Sequence, residues 1–423
     1  MSEPIEITVS TYHQAREAFR QKELRQALYD EGEVVMADVL VNLHGDAHRA
    51  RRRLENRLFR KDTHRLYERD YFPPVVAATL APHIAAGRAE LVTLSHELMM
   101  NLAALTAGVD RPLGTRAETM RLYEFLMIFI QGATLAHYTG DRAAKREEVA
   151  RAMSEFDEEF LKPSIERRRA LLAAHNPSAA GAVSAGPATT GAGSASSASG
   201  SGAELPRDVL STLLANEDNL HLPPDVVLRE ICFFLLAGAH TSATAFVRTL
   251  HHLFVLLESH PNHVARACHD QMFLQRCVHE TVRLQPSSPV AMRWALADLD
   301  LPGPVHVPRG ARLTIDLMSA NRDPEVFGDN ASEFDPHREL PPGVAPWGLS
   351  FGLGMHACIG QDLAAGLDPM GRDVGDDHLY GLVPVALRAV LDAGARPDPS
   401  DPPTIDLAST RGYWGRYPVV FPR

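Results

Sequence analysis

Apolar residues recur at helical spacing through much of this chain of 423 residues, with few strand signals between Tyr71 and Arg169. Candidate helices there run near 74–86, 89–107, 116–138 and 142–173. Met and Phe residues between 120 and 130 read as core or pocket wall. Asp225 to Leu257 predicts one long apolar helix through the middle of the molecule. Earlier, Ile5 to Val9 reads as a short strand, Tyr12 to Phe19 as a helix, and His48 to Arg53 opens a basic helix. Short strand signals from Leu299 to Ile315, set off by Pro and Gly turns, predict a small β region. The expected fold class is mainly α with a small β-sheet region.

Two stretches interrupt this pattern. Ser178 to Ala203 has 22 Ala, Gly or Ser among its 26 residues, with no charge and no aromatic. Such a segment buries too little apolar surface to offset ordering, so a flexible surface loop is expected. Later, Gly366-Leu-Asp-Pro369 and the Asp-rich stretch to Asp377 read as an inserted loop, followed by a helix from Leu379 to Ala393.

Composition narrows the function classes. With 45 % hydrophobic and 22 % charged residues, the chain can build a sizeable globular core. A net charge of −11, and no basic stripe interleaved with aromatics, argue against nucleic acid as partner. Four cysteines (Cys232, Cys268, Cys277, Cys358), none in a C-x-x-C pair, point to a reducing compartment. The start Met1-Ser-Glu-Pro-Ile reads as neither signal peptide nor anchor, and the apolar run Ile231–Gly238 is too short to span a bilayer. The expectation is a cytoplasmic protein with no membrane span. His96-Glu97 and His279-Glu280 begin like the zinc-protease H-E-x-x-H, but Met100 and Arg283 stand at the fifth position.

Chemistry concentrates in Phe351-Gly-Leu-Gly-Met-His-Ala-Cys-Ile-Gly360. Gly352 and Gly354 permit a tight hairpin, and Gly360 removes a side chain where a flat ligand would need to come close. A cysteine ahead of an apolar helix feels unpaired N–H groups and the positive end of the helix dipole, which favours thiolate. Cys358 is therefore suited to be the proximal ligand of a haem iron. Half a zinc site with His356, or a buried core thiol, are the competing readings. In the long helix, Gly238 is costly, and a Thr241 hydroxyl can bond the carbonyl of Ala237, which predicts a local widening. Glu280 and Arg283, three apart, fall on one helical face as a fork-like pair.

Phe351, Gly352, Gly354, His356, Cys358 and Gly360 match the F-x-G-x-H-x-C-x-G loop, and on these residues the chain resembles the bacterial cytochrome P450 enzymes. The resemblance covers nearly the whole chain from residue 5 onward. It implies a single haem-thiolate monooxygenase domain over 1–423, with the loop at 178–203 inside it. It also implies a P450 fold that is N-terminally shortened, since the family has a further helix and strand before Ile5. The implied cofactor is haem b, with Cys358 on the iron, His48, Arg52 and Arg293 clamping its propionates, and Phe351, Gly352, His356 and Gly360 shaping the loop. Ala237 and Gly238 would lie beside it. Thr241 looks like the threonine that hydrogen-bonds bound oxygen and assists proton delivery. His240 stands where the family usually has Asp or Glu, and is expected to relay protons near neutral pH. Val290 and Ala291 would face substrate. Glu280, Arg283 and Arg338 resemble the family's structural triad.

The implied reaction inserts one oxygen atom from O₂ into a small hydrophobic substrate, steroid- or terpenoid-like or a natural-product intermediate. No flavin or nicotinamide fingerprint is present, so electrons would come from a ferredoxin or flavodoxin with its reductase. The inserted loop near Cys358 would lie on the side where such donors dock. Two alternatives stand beside this: a peroxide-driven peroxygenase or haem-thiolate isomerase, and a non-catalytic haem-binding or sensor protein.

Overall fold

Side-chain caps fix where the helices begin. Thr11 accepts from the Gln14 N–H ahead of the helix Tyr12–Arg20, and Thr115 with Glu118 forms a reciprocal capping box ahead of Arg116–Ala133. Asp141, Asp208 and Asp270 cap three more helix starts in the same way. Gly87 and Gly108 end the helices Phe72–Ala86 and Leu91–Ala107 in left-handed backbone, at φ 70° and 89°. The computed structural model describes residues 4–175, 205–369, 374–407 and 411–422. The low-complexity segment 178–203 lies outside the described residues.

The helices follow the expected order with three local differences. Arg88–Glu90 pairs as a strand with Pro418–Val420, so the next helix starts at Leu91 rather than 89. The helix expected over 116–138 ends at Ala133. The one expected over 142–173 is Arg142–Phe156 and Lys162–His175, joined by a π turn over Asp157–Leu161.

The central helix is Pro224–Ser259, packed along Leu91–Ala107. Among the described residues it is the one helix long and apolar enough to cross a membrane, although its longest unbroken apolar run is short. Ile231, Cys232, Leu235, Ala239, Ala243, Phe246 and Leu250 bury its inner face in the main core. Phe125, Phe129, Phe156 and Phe160 meet in that same core, three pairs edge-to-face and Phe156 stacked on Phe160, so Phe125 and Phe129 serve packing. A second core lies under a four-stranded sheet, ordered Glu6–Val9, Arg312–Asp316, Val290–Ala295, Leu24–Gln26. The first pair is parallel and the other two antiparallel, which sets Arg293 opposite Gln26.

Glu280, Arg283 and Arg338 form the expected node. Arg283 gives two 2.6 Å bonds to the Glu280 carboxylate, and Arg338 Nε reaches it at 3.1 Å. Arg283 also donates to the carbonyls of Asn321 and Ala331, and Arg338 to those of Phe327, Asn330 and Glu333. Every charge in this node is buried and paired, which is the condition for a buried ion pair to persist.

The inserted loop is also where expected. The helix after the cysteine loop stops at Ala365, and Leu382–Asp392 follows, three residues later than predicted. Gly366 and Gly381, at φ 79° and 90°, face each other at the neck, where a Cβ on either would strike the opposite backbone. Glu68 accepts from the N–H groups of Tyr380 and Gly381, and Gln275 donates to the carbonyls of Ala365 and Leu367.

A second acidic pair is less well satisfied. Glu230 accepts from the Leu40 N–H and from Arg51 at 2.9 Å, whereas neither Glu55 oxygen has a donor although the residue is fully buried. Burial, then the neighbouring Glu230, hold the Glu55 carboxyl well above the usual range, and burial pushes Glu230 up to about 7. A proton shared between the two carboxyls is the arrangement this geometry favours. Because both groups are raised, the unfolded chain gives up protons first as pH rises, and stability falls from the ordinary carboxylate range upward through about pH 7. Glu55→Gln is expected to stabilise the protein at pH 8 by about 1–2 kcal/mol, with little gain at pH 5. Thermal melts of both proteins at the two pH values check this, and an equal shift at both would contradict it.

Candidate active site around Cys358

The node behind the cysteine loop also positions it. Asn321, whose carbonyl Arg283 holds, accepts the Leu349 N–H at 2.8 Å and donates to Ser350 Oγ at 2.8 Å. Ser350 in turn donates to the Val282 carbonyl at 2.6 Å. From this anchor the chain turns at Gly352 and Gly354, at φ 64° and 68°, and the Cys358 N–H closes the hairpin on the Phe351 carbonyl at 2.8 Å. A Cβ on Gly354 would collide with the Phe19 carbonyl, so glycine is required there. Beside Gly360 the space is open, with only the Phe59 ring at 4.0 Å from where a Cβ would stand.

Cys358 lies deep among protein atoms, yet its side chain is open, so it borders an interior cavity. Burial pushes its thiol up, and the N–H groups of Gly360 and Gln361 with the Arg52 charge offset this only in part. The helix start favours the thiolate, but desolvation outweighs that influence and holds the thiol above its ordinary value.

The opposite wall is the central helix. Thr241 is exposed while its neighbours Ser242 and Ala243 are buried, so it faces the cavity from a core helix. Its hydroxyl donates to the Ala237 carbonyl at 2.7 Å, as expected. The predicted widening is absent, for Pro224–Ser259 runs through without a break. A Cβ on Gly238 would meet Ala103 Cβ on the adjacent helix at 3.4 Å, an ordinary contact, so packing alone does not demand glycine there.

His240 corrects a second expectation. Residues adjacent on a helix diverge by about 100°, and its ring stacks on His96 at 5.8 Å and meets Tyr413 edge-on at 5.8 Å. Burial, then His96, Arg411 and Arg248, push it down to about 3. Burial thus favours its neutral form at neutral pH.

The third wall is basic. His48 and Arg52 lie one turn apart on Gly45–Glu55, and the His48 ring meets that of His356 at 4.6 Å. Burial and then Arg52 push His48 down to about 4, so it offers a neutral N–H where a cationic donor was expected. Arg52 supplies the charge and bonds Asn56 through Nε at 2.8 Å. Arg293 is buried and gives Nη1 to Gln26 at 2.7 Å and to the Met292 carbonyl at 2.9 Å. Tyr29 senses Arg411, Arg293 and Cys358 together, which ties these groups to one interior. Both ring nitrogens of His48 and of His356 are buried without a hydrogen-bond partner.

Val290 and Ala291 were expected to face substrate together. Neighbouring strand residues point to opposite faces, and Ala291 packs on the core beneath the sheet. Only Val290 is free of that core. An open cleft of about 930 Å³ lies elsewhere, behind the loop, between Arg276, His337, Pro341 and the inserted loop at Asp368 and Val374.

Sequence reasoning missed His96 and Tyr413 beside His240, and His44, whose ring stacks on His356. Of these only His44 left a readable signal, four residues before His48. Buried imidazole nitrogens without partners, beside two guanidinium groups, fit an anionic edge, and an open thiol between glycines fits a metal. The residues present thus fit haem.

A model of the Cytochrome P450 family matches residues 144–365, just over half of the chain. Cytochrome P450-terp of a Pseudomonas species is 33 % identical over 165 residues, 38 % of this chain and 35 % of that protein. Cytochrome P450 734A6 of Oryza sativa subsp. japonica is 38 % identical over 93 residues, 21 % of this chain and 17 % of that one. The chain aligns with about a third of the length of the first curated relatives. Solved structures align far more broadly. P450BioI, in complex with a fatty-acid-ligated acyl carrier protein, gives a TM-score of 0.71 at 18 % identity, covering 98 % of this chain and 92 % of that one. HmtT, involved in himastatin biosynthesis, gives 0.70 at 18 %, covering 98 % and 91 %. With its fold, its cysteine loop and the family match in agreement, this chain belongs to the cytochrome P450 family.

Proposed function

We propose that the chain is a soluble haem-thiolate monooxygenase, one domain from end to end, acting on a small hydrophobic substrate. The observation that carries this is Cys358, an exposed thiol on a glycine-turned hairpin within reach of the Arg52 charge. Haem b, when bound, supplies insertion of one oxygen atom from O₂ with two electrons and two protons.

This chain's residues do the rest. Cys358 Sγ would bind the haem iron, held by the N–H groups of Gly360 and Gln361. His48, Arg52, Arg293 and His356 would bind the propionates by neutral and charged hydrogen bonds. The Thr241 hydroxyl, anchored on Ala237, holds a proton or water on the cavity side. His240, neutral and turned toward His96, orients this part of the helix rather than exchanging charge. Val290 forms part of the substrate wall, and steroid- or terpenoid-like molecules or natural-product intermediates suit an apolar cavity. Exposed Arg53, Arg57, Arg60 and Lys61 lie on the basic stretch that reaches the cysteine loop through Phe59. That face suits an acidic ferredoxin or flavodoxin with its reductase. Four free cysteines suit the reducing cytoplasm.

The ferrous-carbonyl spectrum tests the assignment. The wild-type protein is expected to give a strongly red-shifted Soret band, and Cys358→Ala to lose it; an unchanged Cys358→Ala spectrum would end the proposal. Thr241→Ala is expected to consume reducing equivalents at a similar rate but to form several-fold less product, read by comparing nicotinamide oxidation with product yield. Intact coupling would remove its role. His240→Gln is expected to leave the pH profile of coupling unaltered between about pH 6 and 8, since the wild-type ring stays neutral throughout. A shifted profile would restore a charge-relay role.

A further inference from the structure

Three imidazoles gather at the basic wall where the sequence motif names two. His44 is the N-cap residue of Gly45–Glu55, in extended backbone, and its side chain makes no capping bond. N-cap positions favour Ser, Thr, Asp or Asn, so the choice of histidine is not explained by capping. The ring stacks on His356 at 6.4 Å between centroids and 25° between planes, while His48 meets His356 from another side. Nδ1 of His44 is buried without a partner, as are both nitrogens of His48 and of His356. Five buried ring nitrogens left bare in one cluster are costly unless hydrogen-bond partners meet them, an acceptor for each N–H.

Two propionates bring four strongly accepting oxygens, each able to take more than one hydrogen bond, so imidazole donors can be accommodated beside the N–H groups that Arg52 and Arg293 keep free of Asn56, Gln26 and Met292.

We propose that His44 is a third imidazole donor to the haem propionates, beside His48 and His356. This rests on the haem-thiolate reading above. His44 then helps retain the cofactor and takes no part in the chemistry at iron.

The test follows haem leaving the loaded protein for excess apomyoglobin. His44→Phe keeps a ring for the stack on His356 and removes the nitrogens. It is expected to speed haem loss about tenfold, the scale of one hydrogen bond to a charged group. His44→Gln, which keeps a donor, is expected to stay near the wild-type rate. With haem esterified at both propionates, wild type and His44→Phe are expected to lose it equally fast. Unchanged loss from His44→Phe overturns the proposal, as does the same acceleration with the diester, which would assign the effect to stacking. Should His44→Phe not fold, His44→Leu is read in the same way. A wild-type protein that takes up no haem overturns the function and this inference together. A normal thiolate spectrum with unaltered haem retention in the variant overturns only the role of His44.

Discussion

A buried carboxylate holds this structure in register. Glu280 takes charge-assisted bonds from Arg283 and Arg338 in a place from which water is excluded, so neither guanidinium can leave without stranding a charge. From that node the constraint passes through Asn321 to Leu349 and Ser350, and so to the start of the hairpin that carries Cys358. The loop's glycines allow its turns; the node decides where those turns stand. The thiol is thereby placed by polar contacts well removed from it.

Desolvation is the second organising influence. The same dry interior that makes the Glu280 node rigid lifts the Cys358 thiol and depresses His48, His240 and His356. At the three histidines the neighbouring cationic groups push the same way as burial, and at Cys358 burial outweighs the groups that oppose it. The site is built of neutral imidazoles and permanently charged arginines, with little of the titrating character that the residue types alone imply. Hydrogen-bond geometry, more than protonation state, is what this pocket offers a ligand.

Much of this was legible in the sequence where the signal was local. The cysteine hairpin, the Glu280–Arg283 spacing, the Thr241–Ala237 bond and the break after Ala365 all depend on residues close together in the chain. What depended on distant packing was not. Nothing near His240 announces His96, which arrives from a helix some 140 residues earlier in the sequence. Ala291 was misplaced because a strand turns alternate residues to opposite faces, and a linear motif does not say which face comes first. Ionisation was misjudged for the same reason: burial is a property of the assembled core.

The glycine neck at Gly366 and Gly381 has a bearing on how such a chain can vary. Because the two backbones meet there, the helix that follows Cys358 is cut without either half being displaced: Ala365 remains tied to Gln275 and His279, and Leu382–Asp392 packs in the main core. The ends of the insertion are fixed by what they touch, independent of what lies between them. Loop closure grows only slowly more costly with length, so this neck is a splice point. Segments of different length and character can be exchanged through it while the haem-side architecture inherits no strain.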